Sequence, residues 1–355
     1  MRETVGVPTD EREEADAVTP ETPDILLRRS ARTFTRTVDD LPEGDEAAPL
    51  PGGGRTDHRF ALLADAARED LGAARLLEGH LDALAILAEL DAEPARRGQY
   101  WGVWAAQPPG PGLTAVRHGS QWLLSGLKRY CSGARSCTHA LVTAATEDGD
   151  RLFAVRTGVL GPGQGPRESR GYRPVPGTWP AIGMAGSDSL DVRFDNLPGA
   201  PVGEPGAYVD RPGFHHGGVG VAACWLGGAH AVARVLRERA ARRSDALTDA
   251  HTGAVDVRLY AAGTALTQAA HEIDADPLDA TRTAEVRALR IRALVADTCS
   301  AVLDHVGRAT GAGPLSHHPR HARAAADLTV YVRQHHAERD LAALGALIAG
   351  NGAGR

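Results

Sequence analysis

The chain has 355 residues, 43% hydrophobic and 24% charged, a globular composition long enough for two or three domains at roughly 150 residues each. Lys and Arg total 39 against 45 Asp and Glu, and the net charge of -6 argues against a protein that holds nucleic acid on a basic surface. No apolar run reaches the ~20 residues of a membrane span, so no membrane contact is expected.

The start, Met1-Arg2-Glu3-Thr4, soon turns acidic and lacks a hydrophobic signal core, so a cytoplasmic location is expected. Residues 1–57 hold acidic clusters, several prolines and Pro51-Gly52-Gly53-Gly54, too little apolar material to offset chain entropy, and are expected to be disordered or loosely attached. Over 58–99 Leu63, Ala67, Leu71, Ala74 and Leu77, then Leu81, Leu84 and Leu87, recur at helical spacing, while Gly72 and Gly79 allow close helix contact. This reads as a truncated N-terminal helical domain.

From 100 to 212 the period changes. Short apolar runs at Trp122-Leu124, Leu141–Ala144 and Leu152–Val155 lie between turn residues, and Glu147-Asp148-Gly149-Asp150 signals a hairpin. Leu190–Asp195 alternates apolar and polar residues, so the segment reads as a small β domain. Residues 213–350 return to helical spacing. Val219, Ala222, Leu226, Ala229, Ala233 and Leu236 form one stripe and Val255, Leu259, Ala262, Leu266, Ala269 and Ile273 another; further helices are expected at about 283–309 and 321–348, completing a four-helix bundle. Cys131, Cys137, Cys224 and Cys299 have neither a redox-pair nor a zinc spacing, and free thiols are expected.

Several segments in this order resemble the acyl-CoA dehydrogenase family over about 60–350. Ser125–Gly133 is similar to the family's Gly-x-Lys-x-Trp-Ile-Thr-Asn strand, followed by His139–Ala144. Trp179–Ser189 with Val192–Pro198 is similar to its Gly-Met…Ser…Val-x-Phe-x-x-Val-Pro region, Gly311-Ala312-Gly313 to its Gly-rich turn, and Arg323 with Asp327 to its Arg-x-x-Arg-Asp segment. The resemblance implies an α+β fold: a short N-terminal helical segment, a small central β-barrel and a C-terminal four-helix bundle. It also implies an FAD flavoprotein, a homodimer or homotetramer, acting on a small molecule such as an acyl thioester.

By the same resemblance Tyr130, Cys131 and Ser132 flank the flavin, with Ser132 reaching N5; the alternative is a strand-end serine satisfied by its own turn. Gln107, in Ala106–Thr114, stands where the family has the Glu of Thr-Glu-Pro-x-x-Gly-Ser-Asp, and the segment reads equally as an N–H cradle or a proline-rich turn. Arg242 is the nearest match to the arginine that holds a partner subunit's FAD pyrophosphate, and Gly311 marks the Gly-rich turn; a solvated arginine cluster is the other reading.

The dehydrogenase reaction needs a carboxylate base to remove the proton alpha to the thioester as hydride passes to N5. Counting from Asp327, its position falls on His335, with Glu338 three residues on and expected on the same helix face. The leading reading is an FAD-dependent acyl-CoA dehydrogenase-like enzyme with His335 and Glu338 as catalytic candidates. His335 with Ser132 and His80 also resembles the family's oxygenating branch, so a flavin-dependent monooxygenase is the alternative. A non-catalytic scaffold is the third reading.

Overall fold

A computed structural model describes residues 22–42, 49–110, 112–159, 171–243 and 245–352. The expectation of disorder for 1–57 is corrected within this range: Pro23–Asp39 is a helix, α1, capped by the Thr22 hydroxyl, which accepts from the Ile25 amide. Composition averaged over 57 residues concealed Ala31 and Phe34, which with Ser30 and Thr35 form the buried stripe of α1. Residues 1–21 and 43–48 lie outside the described residues.

The next helical pattern is two helices, α2 (Thr56–Glu69) and α3 (Leu71–Glu89). Asp70 breaks them apart in an extended conformation, and its carboxylate caps α3 by accepting from the Ala73 amide at 2.9 Å. Gly72 sits against the Gly186 backbone, where an added Cβ would come to 3.0 Å.

Seven strands follow: β1 (Trp101–Trp104), β2 (Leu113–His118), β3 (Gln121–Cys131), β4 (His139–Thr146), β5 (Gly149–Arg156), β6 (Tyr172–Val175) and β7 (Leu190–Val202). The pairings β4–β2–β3–β7–β5 close on themselves because β5 also pairs β4, so five strands make a small barrel. Parallel β1 extends β4, and antiparallel β6 extends β7. The hairpin read at Glu147-Asp148 joins Thr146 to Gly149, and Leu190, Val192 and Phe194 are buried at the start of β7, as the alternation read there requires.

A short helix, α4 (Ala207–Asp210), leads into α5 (Gly213–Arg242), α6 (Ala246–Ala275) and α7 (Ala284–Thr310). Both stripes read from the sequence are buried in full. By length and composition α5 is apolar enough to cross a membrane, which the sequence reading did not anticipate, because its Val, Leu and Ala residues are interrupted by Gly and His and form no unbroken apolar run. Its apolar window is 83% buried inside the fold, as the core helix of the bundle.

The expected fourth helix is also corrected. After the short α8 (Gly313–His317), the chain forms α9 (Pro319–Tyr331), a tight turn at Val332–Gln334, an extended His335 and then α10 (Glu338–Gly352). α3 ties the halves together. Ala83, Ile86 and Leu87 pack on Trp101 of β1 and on barrel residues Leu141, Leu152 and Val202, while Leu71, Leu76 and Leu77 belong to the core that includes α5 and α9.

Candidate functional site at the barrel edge and the α9–α10 link

Toward the end of β3 the register against β7 shifts between Lys128 and Cys131. The irregularity leaves Tyr130 at φ 62° with 52% of its surface exposed, a strained placement for a bulky residue. Cys131 turns inward and is fully buried; burial pushes its thiol pKa well up, so its side chain is a core group. Ser132 is also buried, and its carbonyl accepts from the Trp104 indole at 2.9 Å.

The Ser132 hydroxyl belongs to a chain of three serines. Ser132 Oγ lies 2.8 Å from Ser189 Oγ, Ser189 Oγ lies 2.9 Å from Ser187 Oγ, and Ser187 donates to the Met184 carbonyl at 2.8 Å. Each hydroxyl has one proton. Ser187 spends its proton on Met184, so Ser189 donates to Ser187 and Ser132 donates to Ser189. In this arrangement Ser132 Oγ faces any further partner as an acceptor. The sequence directs Ser132 to flavin N5 or to its own turn and does not reveal the two serines that orient it, which lie in the Trp179–Ser189 segment matched by resemblance.

His335 lies in the link between α9 and α10, outside both helices, so it does not share a helix face with Glu338. Glu338 opens α10 and is exposed, whereas His335 is 9% exposed. The His335 Nδ1 accepts from the Ala337 amide at 3.1 Å, which places the proton of the neutral ring on Nε2. Nε2 is buried with no hydrogen-bond partner, and Asp340 stands 3.9 Å away. Burial lowers the His335 pKa below the ordinary value, with Asp340 opposing and Arg292 assisting, so the ring is neutral at pH 7. As built, His335 is an N–H donor with its basic nitrogen already engaged.

Arg292 fixes this link. Its guanidinium donates to the Gly218 carbonyl at 3.1 Å and the Gln334 carbonyl at 3.0 Å, and it stacks over the Trp225 ring at 4.8 Å. On the α3 side lies a charged cluster that the sequence reading missed. Arg75 pairs with Glu78, while Asp82 pairs with the buried Arg59 at 2.9 Å. Burial and the neighbouring Asp82 hold the Glu78 pKa up at about 7 against the pull of Arg75. Tyr331 OH, at the end of α9, is buried beside the Cys224 thiol and close enough to Arg75 and Glu78 to feel their charges. The spacing of Arg75, Glu78 and Asp82, i, i+3 and i+7 within an apolar helix, places them on one face and was the available clue.

The remaining predicted residues are dispersed. Gln107 donates to Asp150 at 2.9 Å and lines a 220 Å³ hollow with Gly110, Gly112 and Lys128. Arg242 is exposed in the last turn of α5, and Gly311 ends α7 at φ 68°. Among the described residues no hydrogen bond or ion pair joins these three to Tyr130, Ser132 or His335. His80 is a core histidine: its Nδ1 accepts from the Trp101 amide at 3.1 Å, and burial lowers its pKa to about 4.

No protein-family model and no curated protein matches the chain. Solved structures do. KijD3, determined with FMN and dTDP-3-amino-2,3,6-trideoxy-4-keto-3-methyl-D-glucose, is 20% identical with a TM-score of 0.69, over 94% of this chain and 95% of that one. TdsC from Paenibacillus sp. A11-2, with FMN and indole, is 17% identical with a TM-score of 0.71, over 93% and 97%. The methanesulfinate monooxygenase MsuC from Pseudomonas fluorescens is 18% identical with a TM-score of 0.68, over 93% and 97%. The chain shares their fold. KijD3 and TdsC hold FMN in those structures, and the α+β class expected for this chain stands, with a small barrel.

Proposed function

We propose that the chain is a flavin-dependent monooxygenase that takes up reduced flavin, rather than the acyl thioester dehydrogenase ranked first from the sequence. The observation that carries this reading is His335, a buried neutral imidazole whose free nitrogen is an N–H donor. A dehydrogenase needs a carboxylate base there, and Glu338 is exposed on a different element. FMN is the proposed cofactor in place of FAD, supported by its presence beside KijD3 and TdsC.

The residues fit such a group at the barrel edge. Tyr130 offers an exposed aromatic face for an isoalloxazine ring, and Ser132 Oγ offers an acceptor. Reduced flavin bears a proton on N5 that an acceptor can hold, while oxidised N5 is itself an acceptor. When bound, the reduced flavin would supply two electrons to oxygen, so that one oxygen atom enters the substrate and the other leaves as water. His335 Nε2–H then serves as a donor to a developing oxyanion, and Arg292 keeps the link in place. Among the described residues the Tyr130 edge is half-exposed, and the proposed homo-oligomer places its second copy over it. A small-molecule substrate is proposed, with a cytoplasmic setting as read from the sequence.

The test begins with anaerobic protein loaded with FMN. Butyryl-CoA is expected to leave its absorbance unchanged. Admitting oxygen to the reduced complex is expected to give slower flavin reoxidation than in free solution, and His335→Gln should abolish that delay. Anaerobic bleaching by butyryl-CoA would return the dehydrogenase reading.

A further inference from the structure

A cavity of about 620 Å³ opens among α1, the α2–α3 junction, the C-terminal half of α5 and the start of α9. Neither the barrel edge nor the α9–α10 link lines it. On a chain with net charge -6, its walls carry six arginines against four carboxylates. Two of those carboxylates are already occupied: Asp70 accepts from the Ser30 hydroxyl and the Ala73 amide, and Asp327 accepts from the Met184 amide. Arg36 and Arg320, by contrast, make no ion pair among the described residues.

The cavity floor adds donors. α9 has thirteen residues and begins with Pro319; no side chain caps it and its first turn holds no acid. Its first N–H groups therefore lack intrahelical partners and sit at the positive end of the helix dipole. His321 in that turn is 8% exposed, and its Nδ1 is buried without a partner. Leu71, Ala231 and Val235 supply an apolar wall beside the charged floor. Guanidinium forks and helix amides are matched to phosphate oxygens, and the volume suits a small organic ligand.

We propose that this cavity binds a phosphate or diphosphate ester of nucleotide size, its phosphates held by Arg36, Arg320, His321 and the α9 N-terminus and its ring against Leu71 and Val235. The assignment stands on the cavity itself, independently of the barrel-edge reading. ADP suits it as a probe, with pyrophosphate and adenosine as its two halves and FMN as a second phosphate ester. The arginines at the mouth are exposed, so their replacement leaves the core intact.

Calorimetric titration of the full chain at low ionic strength is expected to show ADP and pyrophosphate binding and adenosine failing to bind. Arg320→Ala and Arg36→Ala should each weaken ADP by about tenfold or more, with His321→Gln acting in the same direction. Added salt should weaken binding further. Competition of FMN with ADP, lost in Arg320→Ala, would assign the phosphates to the flavin; simultaneous binding would assign them to a second ligand. Failure of both ADP and pyrophosphate to bind the native chain, or binding indifferent to all three substitutions, overturns the proposal.

Discussion

The end of β3 is held by a barrel, and the stretch between α9 and α10 is held by side chains. Tyr130 and Cys131 close a strand that pairs β2 over Gln121–Gly126 and β7 as far as Cys131–Leu190, so the shift near Lys128 is held by the β7 backbone. Tyr331–Ala337 have no such frame. Arg292 holds the Gln334 carbonyl, the His335 ring accepts from Ala337, and Asp340 accepts from the His336 amide. The barrel edge is therefore preorganised by backbone, and the link by a few polar contacts that one substitution can remove. Sites built on such unequal supports lose their softer half first.

The largest expected effect tests the joint between the two. An added Cβ at Gly183 would meet the Ala326 carbonyl oxygen at 2.2 Å and Val330 at 2.7 Å, both on α9. Gly183→Ala should cost roughly 3 kcal/mol, read by chemical denaturation, because α9 must move off the barrel loop. A cost near zero would show that α9 is not seated there.

Arg292→Met comes next. Loss of two hydrogen bonds from a charged donor should cost about 2 kcal/mol, and hydrogen exchange should quicken at 333–337 while β3 stays protected. Equal loosening of both segments would remove the contrast drawn above.

Ser189→Ala is smaller, about 1 kcal/mol. It frees the Ser132 proton, so the preference for reduced over oxidised FMN should shrink. An unchanged preference would show that the serine chain does not set the polarity of Ser132.

A pH slope reads the two buried titrating groups of α3 apart from either support. His80 has a folded pKa of about 4 against an ordinary 6.5, so the unfolded chain binds the proton more readily and stability falls as pH drops from about 6.5 towards 4. Glu78 runs the other way. Its folded pKa of about 7 exceeds the ordinary 4.5, so its contribution is present at low pH and lost as pH rises through 7. His80→Gln should flatten the acid limb alone, measured by denaturation at pH 5 and pH 7.

Much of the scaffold was legible in the sequence. Six positions from Val255 to Ile273 repeat at helical spacing and all six are buried, and the Glu147-Asp148 turn carries its own chemistry. The break after Tyr331 was not legible, since Tyr331–Asp340 contains no Gly or Pro and has ordinary helical propensity. Tertiary contacts end the helix there: Arg292 claims a carbonyl and Ala337 adopts φ 47°. In α1 the opposite occurred, a weak local pattern made stable by docking Phe34 into the core. Of the residues read by resemblance, Tyr130–Ser132 stand together at the end of β3, while Gln107, Arg242 and Gly311 lie apart from them. The serines that orient Ser132 and the hold of Arg292 on Gln334 emerge only once distant segments meet, whereas Arg75 and Glu78 pair within one helix.

The central claim is that Ser132 and His335 are arranged for a reduced flavin, one as acceptor and the other as neutral donor. Anaerobic equilibrium titration with reduced and oxidised FMN tests it most directly. The native chain should bind the reduced form about tenfold or more tightly, and Ser132→Ala should bring the two affinities together. Tighter binding of oxidised FMN, or no binding of either form, contradicts the account.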